Sequence, residues 1–340
     1  MKILVTGSTG FIGGYLIDEL LNHGHEVVGI DNFSKYGEVK KSYDTNPRYR
    51  FVEGDAKDSE LLKKLILDCD QIVAAAAMIG GISYFHTFAY DLLAENERIA
   101  ASTFDAAIYA RKKGQLKKIN VISSSMVFEN SNIFPTPEGE EKNCPPSSST
   151  YGFQKLATEY FAKGAYEQYG LPYTIIRPFN CVGVGERRAL TDKEIQSGNV
   201  KLAMSHVVPD LVQKVLKDQD PLHILGSGNQ IRHYTYGGDL AEGIRLCIEK
   251  PEALNKDFNL STSESTDVLT LAKLIWEKIN GDKSLFRYVS DEPFQYDVQK
   301  RVPDVTKANK LLGFNAKTTL SEMLDEVIPW IREQIKLGSI

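Results

Sequence analysis

The stretch Lys2-Ile-Leu-Val-Thr-Gly7-Ser-Thr-Gly10-Phe-Ile-Gly13 decides the fold of this chain. Its apolar start predicts a strand, and the three glycines predict a tight turn into a helix. Glycine lets a backbone approach a pyrophosphate closely, and the N-terminus of the following helix offers N–H groups and the positive end of its dipole. The stretch therefore predicts the first unit of a dinucleotide-binding sheet.

A carboxylate follows the second predicted strand, at Asp31 in Ile30-Asp31-Asn32. A carboxylate at this position can accept both ribose hydroxyls of NAD and repels the 2′-phosphate of NADP. Asp55 follows the third predicted strand and either meets the adenine or caps the next helix. We therefore expect NAD as the cofactor.

Short apolar strands alternate with helices through the first half of the chain. The strands are predicted at Lys2–Thr6, Glu26–Ile30, Arg50–Glu53, Gln71–Ala75, Ile119–Ser123 and Tyr173–Arg177, and the helices at Phe11–Asn22, Ser59–Leu67, 92–110 and Tyr151–Tyr169. This order predicts an α/β fold, a Rossmann-type doubly wound parallel sheet with a smaller C-terminal α/β substrate-binding domain.

The domain boundaries follow from where this alternation stops. We expect residues 1–180, with a return segment at about 233–262, to form the NAD-binding domain. Residues 181–232 and 263–340 are expected to form the substrate domain. The polar and glycine-rich residues 181–206 predict a long loop.

Two further motifs carry acid–base chemistry. Ile122-Ser123-Ser124-Ser125 ends a predicted strand, and Tyr151-Gly-Phe-Gln-Lys155 places a phenol and an ammonium on one helix face. The ammonium and the positive nicotinamide ring of the cofactor are both expected to lower the pKa of Tyr151, so that the phenolate takes a proton from a substrate hydroxyl that Ser124 also binds. Alone, the Tyr-x-x-x-Lys pattern is typical of a solvated helix face.

Together these motifs resemble the extended short-chain dehydrogenase/reductase family, NAD-dependent nucleotide-sugar epimerases and dehydratases. The resemblance covers nearly the whole chain. It rests on Gly7-x-x-Gly10-x-x-Gly13, Asp31-Asn32, Asp55, Asn96, Ser124, Tyr151-x-x-x-Lys155, Arg177-Pro-Phe-Asn180, Arg232 and Arg301-x-x-Asp304.

The resemblance implies roles for individual residues. Ser124, Tyr151 and Lys155 would be catalytic, and no metal is expected. The cofactor would be bound by Gly7, Gly10, Phe11, Ile12, Gly13, Asp31, Asn32, Asp55, Ala56, Ala74, Ala75, Ala76, Asn96, Tyr151, Lys155 and Pro178. The substrate would be bound by Gly80, Ser125, Met126, Asn180, His206, Val207, Leu222, His223, Ile224, Arg232 and Arg301. Among these, Arg232 and Arg301 would clamp a diphosphate, and Leu222-His223-Ile224 would lie along the nucleotide base.

The residues after Ser124 bear on the reaction. The resembling dehydratases carry Asp-Glu where this chain has Ser125-Met126. The decarboxylases carry glutamate and the GDP-sugar 3,5-epimerases carry cysteine at the position of Met126. Methionine cannot exchange a proton, so C4 epimerisation is favoured over these reactions. A 4-dehydrogenase or 4-ketoreductase, a 3,5-epimerase that uses His206 and a non-catalytic NAD sensor remain as alternatives.

The identity of the nucleotide stays open between GDP and UDP. Gly80-Gly81-Ile82 and Ser205-His206-Val207-x-Pro209 resemble GDP-sugar enzymes, and His206 either donates a proton or only lines the substrate site. The substrate is expected to be a GDP- or UDP-linked sugar.

Composition bounds the partners and the compartment. The 340 residues carry 40 basic and 45 acidic side chains, a net charge of −5, with no basic block, which argues against nucleic acid and membranes as partners. The cysteines Cys69, Cys144, Cys181 and Cys247 are far apart and are expected to be free thiols. With a strand at the N-terminus we expect no signal peptide and a cytoplasmic enzyme. By the same resemblance, the helices at 92–110 and 151–169 would pair across a dimer in a four-helix interface, so we expect a homodimer or homotetramer.

Overall fold

The computed structural model describes residues 1–80, 87–186, 195–202, 206–293 and 297–340, without the side chains of Ile195 and Leu202. Gly81, Ile82 and Ser205, which carry part of the GDP-sugar resemblance, lie outside the described residues.

The strands in chain order are β1 (Lys2–Thr6), β2 (Glu26–Asp31), β3 (Tyr49–Glu53), β4 (Gln71–Ala74), β5 (Lys118–Ile122), β6 (Tyr173–Pro178), β7 (Cys181–Val182), β8 (Ile195–Ser197), β9 (Val200–Leu202), β10 (Leu222–Leu225), β11 (Ile231–Arg232), β12 (Thr235–Tyr236), β13 (Lys256–Leu260), β14 (Thr266–Asp267) and β15 (Tyr288–Asp291). The described α-helices are α1 (Phe11–Asn22), α2 (Ser59–Ile66), α3 (Ala89–Lys112), α4 (Thr150–Tyr169), α5 (Val207–Leu216), α6 (Gly237–Glu249), α7 (Val268–Asn280), α8 (Thr306–Leu312) and α9 (Leu320–Lys336).

Seven parallel strands form the main sheet, in the order β13-β6-β5-β4-β1-β2-β3. The chain winds outward from β1 in both directions, so the topology reverses between β1 and β4. A sheet of this kind binds ligands outside the carboxyl ends of its strands at such a reversal. The predicted Rossmann-type sheet is therefore confirmed, and its six predicted strands end within one residue of the observed ones.

Both faces of the sheet are covered by helices. On one face α1, α6 and α8 bury residues such as Leu16, Ile244 and Leu312. On the other face α2, α3 and α4 bury residues such as Leu62 and Phe104. Strands that are covered on both faces have continuous apolar sequences, which explains why these strands could be predicted from the sequence.

A second layer contains its own apolar core, built from α5, α7, α9 and β10 with residues such as Val212, Leu271 and Val327. Strand β10 pairs in parallel with β15, and β11 pairs with β14. The predicted loop at 181–206 is partly wrong, because β8 and β9 form an antiparallel hairpin within it. Among the helices of the described residues, none has the length and apolarity needed to cross a bilayer.

Candidate active site

A cleft of about 950 Å³ lies at the carboxyl ends of the sheet strands and continues between the sheet and the second layer. Most predicted site residues line it: Gly7, Gly10, Phe11, Ile12, Gly13, Asp31, Asn32, Asp55, Ala56, Ala75, Ala76, Ser124, Ser125, Met126, Tyr151, Lys155, Pro178, Asn180, His206, Val207, His223, Ile224, Arg232 and Arg301. The structure thus brings residues from the whole length of the chain into one cavity.

The glycine turn forms one end of the cleft. Gly7 has φ +73°, and a Cβ there would lie 2.9 Å from the Cα of Ala76. A Cβ on Gly13 would overlap the carbonyl oxygen of Gly7. Gly10 caps α1 without any side-chain hydrogen bond, so the N–H groups of the first turn face no capping side chain. This cradle has the shape and the donors that a pyrophosphate requires.

Asp31 is positioned by the turn itself. Its Oδ2 accepts a hydrogen bond from the N–H of Thr9 (3.1 Å), and its Oδ1 accepts one from the N–H of Phe33 (2.9 Å). Each carboxylate oxygen has a second lone pair, so the group can also accept ribose hydroxyls. The residues of this end of the cleft therefore fit NAD.

Asp55 lies beside Asp31 but does not cap a helix. Its carboxylate accepts hydrogen bonds from the side chain of Asn32 (3.3 Å) and the N–H of Lys57 (2.8 Å). Helix α2 is capped instead by Asp58, whose side chain accepts from the N–H of Leu61. The helix-cap alternative for Asp55 is therefore wrong, since the cap lies three residues later.

Four predicted site residues do not line the cleft, namely Ala74, Gly80, Asn96 and Leu222. Asn96 instead donates to the carbonyl of Met78 (2.8 Å) and accepts from its N–H (2.7 Å). It fixes the backbone after β4, which does line the cleft. Leu222 lies in the apolar core of the second layer, at the start of β10.

Ser124, Tyr151 and Lys155 meet in the middle of the cleft. Ser124 and Tyr151 both line this part of the cleft, and the Ser124 hydroxyl is close enough to favour the Tyr151 phenolate. Ser149 caps α4 by accepting from the N–H of Gly152 (3.0 Å), which places Tyr151 in the first turn and Lys155 one turn later. The Nζ of Lys155 lies 6.0 Å from the centre of the Tyr151 ring and donates to the carbonyl of Ile122 (3.0 Å).

The expected lowering of the Tyr151 pKa by Lys155 is wrong when the side chains of the protein alone are considered. Burial raises the pKa of Tyr151, and the hydrogen bond from Ser124 and the charge of Arg301 oppose that rise. Burial also lowers the pKa of Lys155 to about 8, against the charge of Glu159. Among the groups of the chain, Arg301 is therefore the cation that favours the phenolate.

Behind this triad lies a buried ionic network. The guanidinium of Arg177 donates to both oxygens of Glu159 (2.7 Å each) and to Asp257 (2.8 Å). Glu159 also accepts from the hydroxyl of Ser123 (2.6 Å). The network ties β6, α4 and β13 together and fixes the strand end that carries Ser124.

Two arginines face each other at the substrate end. Arg232 donates to the carbonyl of Ile231 (3.0 Å) and forms an ion pair with Asp297 (3.4 Å). The Nε of Arg301 is buried and has no hydrogen-bond partner among the described residues. Burial and the charge of Arg232 lower the pKa of Arg301 to about 9. An anion between the two guanidinium groups would relieve both effects.

The far end of the cleft holds His223. Its Nδ1 forms a hydrogen bond with Asp291 (2.7 Å), and its carbonyl accepts from Lys214 (2.7 Å). Gly198 of the β8–β9 hairpin lies against the imidazole ring, since a Cβ there would be 2.5 Å from it.

Sequence reasoning missed several charged residues that line the cleft, above all Glu129, Glu186 and Asp297. Glu186 forms an ion pair with the Nδ1 of His206. Glu129 lies one short turn after Met126. Neither glutamate belongs to a motif, and only the tertiary fold brings them to the site. No group of three or more metal-ligating side chains occurs in the part of the chain that the structure describes.

Comparisons with known proteins place this geometry in a family. Residues 3–261 match the model of the NAD-dependent epimerase/dehydratase family. The chain is 28% identical over 333 residues to a putative UDP-glucose 4-epimerase of Methanocaldococcus jannaschii, with 97% of this chain and 98% of that protein covered.

Two solved structures share the fold. The UDP-glucose 4-epimerase of Thermotoga maritima with UDP-glucose has 28% identity and a TM-score of 0.79, with 98% of this chain and all of that chain covered. The UDP-glucuronic acid 4-epimerase of Bacillus cereus, in complex with UDP-glucuronic acid and NAD, has 25% identity and a TM-score of 0.78, with coverage of 98% and 99%.

Proposed function

The chain belongs to the NAD-dependent epimerase/dehydratase family, and from that premise we propose that it inverts C4 of a UDP-linked hexose. NAD is its cofactor. The observation that carries the proposal is that Ser124 and Tyr151 line the same cleft as the buried, unpartnered Nε of Arg301. It joins a proton-transfer pair to a site for the diphosphate of the substrate.

The chain's own residues hold and deprotonate the sugar. Ser124 and Tyr151 line the same part of the cleft, where Ser124 binds a C4 hydroxyl and Tyr151 accepts its proton as general base. Bound NAD supplies the hydride acceptor and the hydride donor for C4. Lys155, held by the carbonyl of Ile122, adds positive charge near Tyr151. Arg301 adds a second positive charge that favours the phenolate.

The lining near Tyr151 favours epimerisation over elimination. Ser125 and Met126 are buried there, and neither is a carboxylic acid. Water loss across C5 and C6 needs both an acid and a base. Glu129 supplies one carboxylate, which the N–H and hydroxyl of Ser149 hold as a hydrogen-bond acceptor. Hydride exchange at C4 with inversion requires only Ser124, Tyr151 and NAD.

One observation favours a second candidate, a 3,5-epimerase-like activity. His206 forms an ion pair with Glu186 inside the cleft, and the carboxylate can orient the imidazole for proton transfer. Such a pair can exchange a proton at a ring carbon next to a 4-keto group. The 4-dehydrogenase and 4-ketoreductase alternative uses the same triad and differs only in releasing its cofactor in the other redox state.

Mass spectrometry of the reaction with UDP-glucose in deuterium oxide tests the proposal. A product of unchanged mass, without solvent deuterium on carbon and with inverted C4, supports it. Deuterium at C3 or C5 supports the second candidate, and a variant His206→Ala should then abolish the exchange. Loss of water or net accumulation of NADH contradicts C4 epimerisation.

The nucleotide is proposed to be UDP because the relatives reported above carry UDP-glucose or UDP-glucuronic acid in their names. They give no support to the GDP-sugar expectation. We assign residues 1–180 and 233–262 to NAD, and residues 181–232 and 263–340 to the nucleotide sugar. Arg232, His223 and Arg301, which face the second half of the cleft, support this division.

Assembly and location remain part of the proposal. Helices α3 and α4 pack together and present an apolar groove lined by residues that include Ile108, Phe153 and Tyr160. Phe153 is 48% exposed and Tyr160 is 61% exposed, which is unusual for side chains of this size. We propose a homodimer through this face, as part of a cytoplasmic sugar-nucleotide pathway. Sedimentation of the wild type and of Phe153→Lys tests it, because the variant should be monomeric.

A further inference from the structure

Glu129 ends a short turn that begins at the catalytic serine. The 3₁₀ segment Ser125–Phe128 follows Ser124, and the N–H of Glu129 donates to the carbonyl of Met126 (3.1 Å). In a 3₁₀ helix side chains three residues apart are eclipsed, so Glu129 projects to the same side as Met126. Both side chains line the cleft beside Tyr151.

The two oxygens of this carboxylate differ in their partners. Oε2 accepts from the N–H (3.0 Å) and from the hydroxyl (2.9 Å) of Ser149, the residue that caps the helix carrying Tyr151. Oε1 is buried and has no hydrogen-bond partner among the described residues. A buried acceptor without a donor is costly, so a ligand that brings a donor to Oε1 is favoured.

The surrounding charges show which part of a ligand meets Glu129. Because Ser149 precedes Tyr151 by two residues, Glu129 lies at the reacting end of the cleft and not at the end that holds His223. Arg301 is close enough for its charge to interact with Glu129, Asp297 and Arg232. The diphosphate of a nucleotide sugar takes up the positive charge of the arginines, which leaves Glu129 facing the sugar.

We propose that Glu129 selects the sugar: its free oxygen accepts a hydrogen bond from a hydroxyl or amino group of a neutral or amino hexose, and its charge repels a uronic acid. This inference rests on the proposed function and narrows its substrate class. It would separate this chain from a relative whose structure contains UDP-glucuronic acid.

Binding and turnover of UDP-glucose and UDP-glucuronic acid by Glu129→Gln and Glu129→Asp test the proposal. These two probes differ only at C6. The variant Glu129→Gln retains one oxygen for Ser149 and turns an amide NH₂ toward the cleft. We expect the wild type to prefer UDP-glucose by about tenfold or more, and Glu129→Gln to lose about tenfold of that preference, because a charged acceptor is lost. Glu129→Asp retains the charge and should retain most of the preference.

The matched control is Glu95→Gln, which removes a carboxylate that pairs with Lys57 and Arg98 at the cofactor end of the cleft. It should leave the ratio of the two affinities unchanged. A ratio that Glu129→Gln leaves within twofold of wild type, in a variant with an unchanged melting temperature, overturns the inference. Binding of both nucleotide sugars without turnover of either contradicts the proposed function instead. If neither sugar binds, both fail.

Discussion

The two ends of the cleft satisfy their polar groups in different ways. At the cofactor end, Asp31 and Thr6 accept hydrogen bonds from backbone N–H groups, at 2.9 to 3.1 Å. At the substrate end, Arg301 and Glu129 each retain a buried polar atom without a partner among the described residues. At the cofactor end these two side chains are satisfied as the chain folds, and the first N–H groups of α1 remain available for a pyrophosphate. At the substrate end, the buried polar atoms without partners destabilise the ligand-free protein, and a ligand of matching charge relieves this cost. The substrate end is therefore the end that discriminates between ligands.

The largest effect is expected where the two ends meet. Tyr151→Phe should lower turnover by about 10²–10⁴-fold or more, because only the proton-accepting oxygen is lost. The affinities for NAD and for UDP-glucose, measured by calorimetry, should stay close to wild type because the ring retains its packing. A variant that retained more than about a tenth of the rate would remove Tyr151 from its assigned role.

Arg301→Ala tests whether a buried polar group without a partner destabilises the substrate end in the absence of ligand. It should weaken UDP-glucose binding by about 1.5–3 kcal/mol, since hydrogen bonds to a charged group are lost. The melting temperature of the ligand-free protein should fall little, because the Nε of Arg301 is buried without a partner and burial disfavours the charge of this guanidinium. Arg232→Ala is the matched control: it removes a hydrogen bond to the carbonyl of Ile231 and an ion pair with Asp297, and it should lower the melting temperature. An equal fall in melting temperature in both variants would contradict the difference proposed between the two arginines.

Asp31→Ala should show the opposite combination at the cofactor end. NAD binding should weaken by about 1–3 kcal/mol. The ligand-free protein should also lose stability, because the N–H groups of Thr9 and Phe33 lose their acceptor. Affinity for UDP-glucose should change little. NADP found as the main nucleotide released from denatured wild-type protein would contradict the assignment of Asp31.

The smallest effect concerns pH. Burial lowers the folded-state pKa of Lys155 to about 8, so the charged form destabilises the fold below pH 8. Unfolded chains bind more protons between pH 8 and about 10.5, so stability contributed by this site should rise over that window. Lys155→Met should therefore be more stable than wild type by about 1–2 kcal/mol at pH 7, after the lost bond to Ile122 is discounted, with the difference shrinking by pH 10.

Lys118 provides a control for that titration outside the cleft. Burial also lowers its pKa to about 8, and its Nζ donates to the carbonyl of Cys247 (2.6 Å). The difference in free energy of unfolding between Lys118→Met and wild type should likewise shrink as the pH rises. Lys118→Met should retain turnover. If denaturant melts of Lys155→Met showed no dependence on pH, burial would not govern the titration of Lys155.

The sequence predicted the cofactor end better than the substrate end, for a physical reason. Gly7, Gly13 and Asp31 act within one strand–turn–helix–strand unit, where spacing along the chain dictates spacing in the fold. Glu129 and Arg301 meet although 172 residues separate them (301 − 129), and no local pattern encodes that contact. Individual errors have the same origin.

Asn96 illustrates such an error, because its two hydrogen bonds to Met78 depend on how α3 packs beside the end of β4. The pairing of Lys155 with the carbonyl of Ile122 is a second case. A helix face could be read from the sequence, but the partner that the face meets could not. The roles of individual residues, the conformations of the loops and the unpartnered polar atoms at the substrate end could therefore be identified only from the structure.

The buried network around Arg177 has a consequence for how the chain is made. Its partner Asp257 lies on β13, which the ribosome synthesises about 80 residues after β6. A nascent chain that ends before β13 leaves β6 as an open sheet edge and Arg177 without one of its three carboxylate partners, Glu141, Glu159 and Asp257. The sheet of the cofactor half therefore cannot be completed before β13 is synthesised. Messages truncated after the first 180 codons should yield chains that aggregate or are degraded, and the full sheet should form only once residues up to Leu260 have left the exit tunnel.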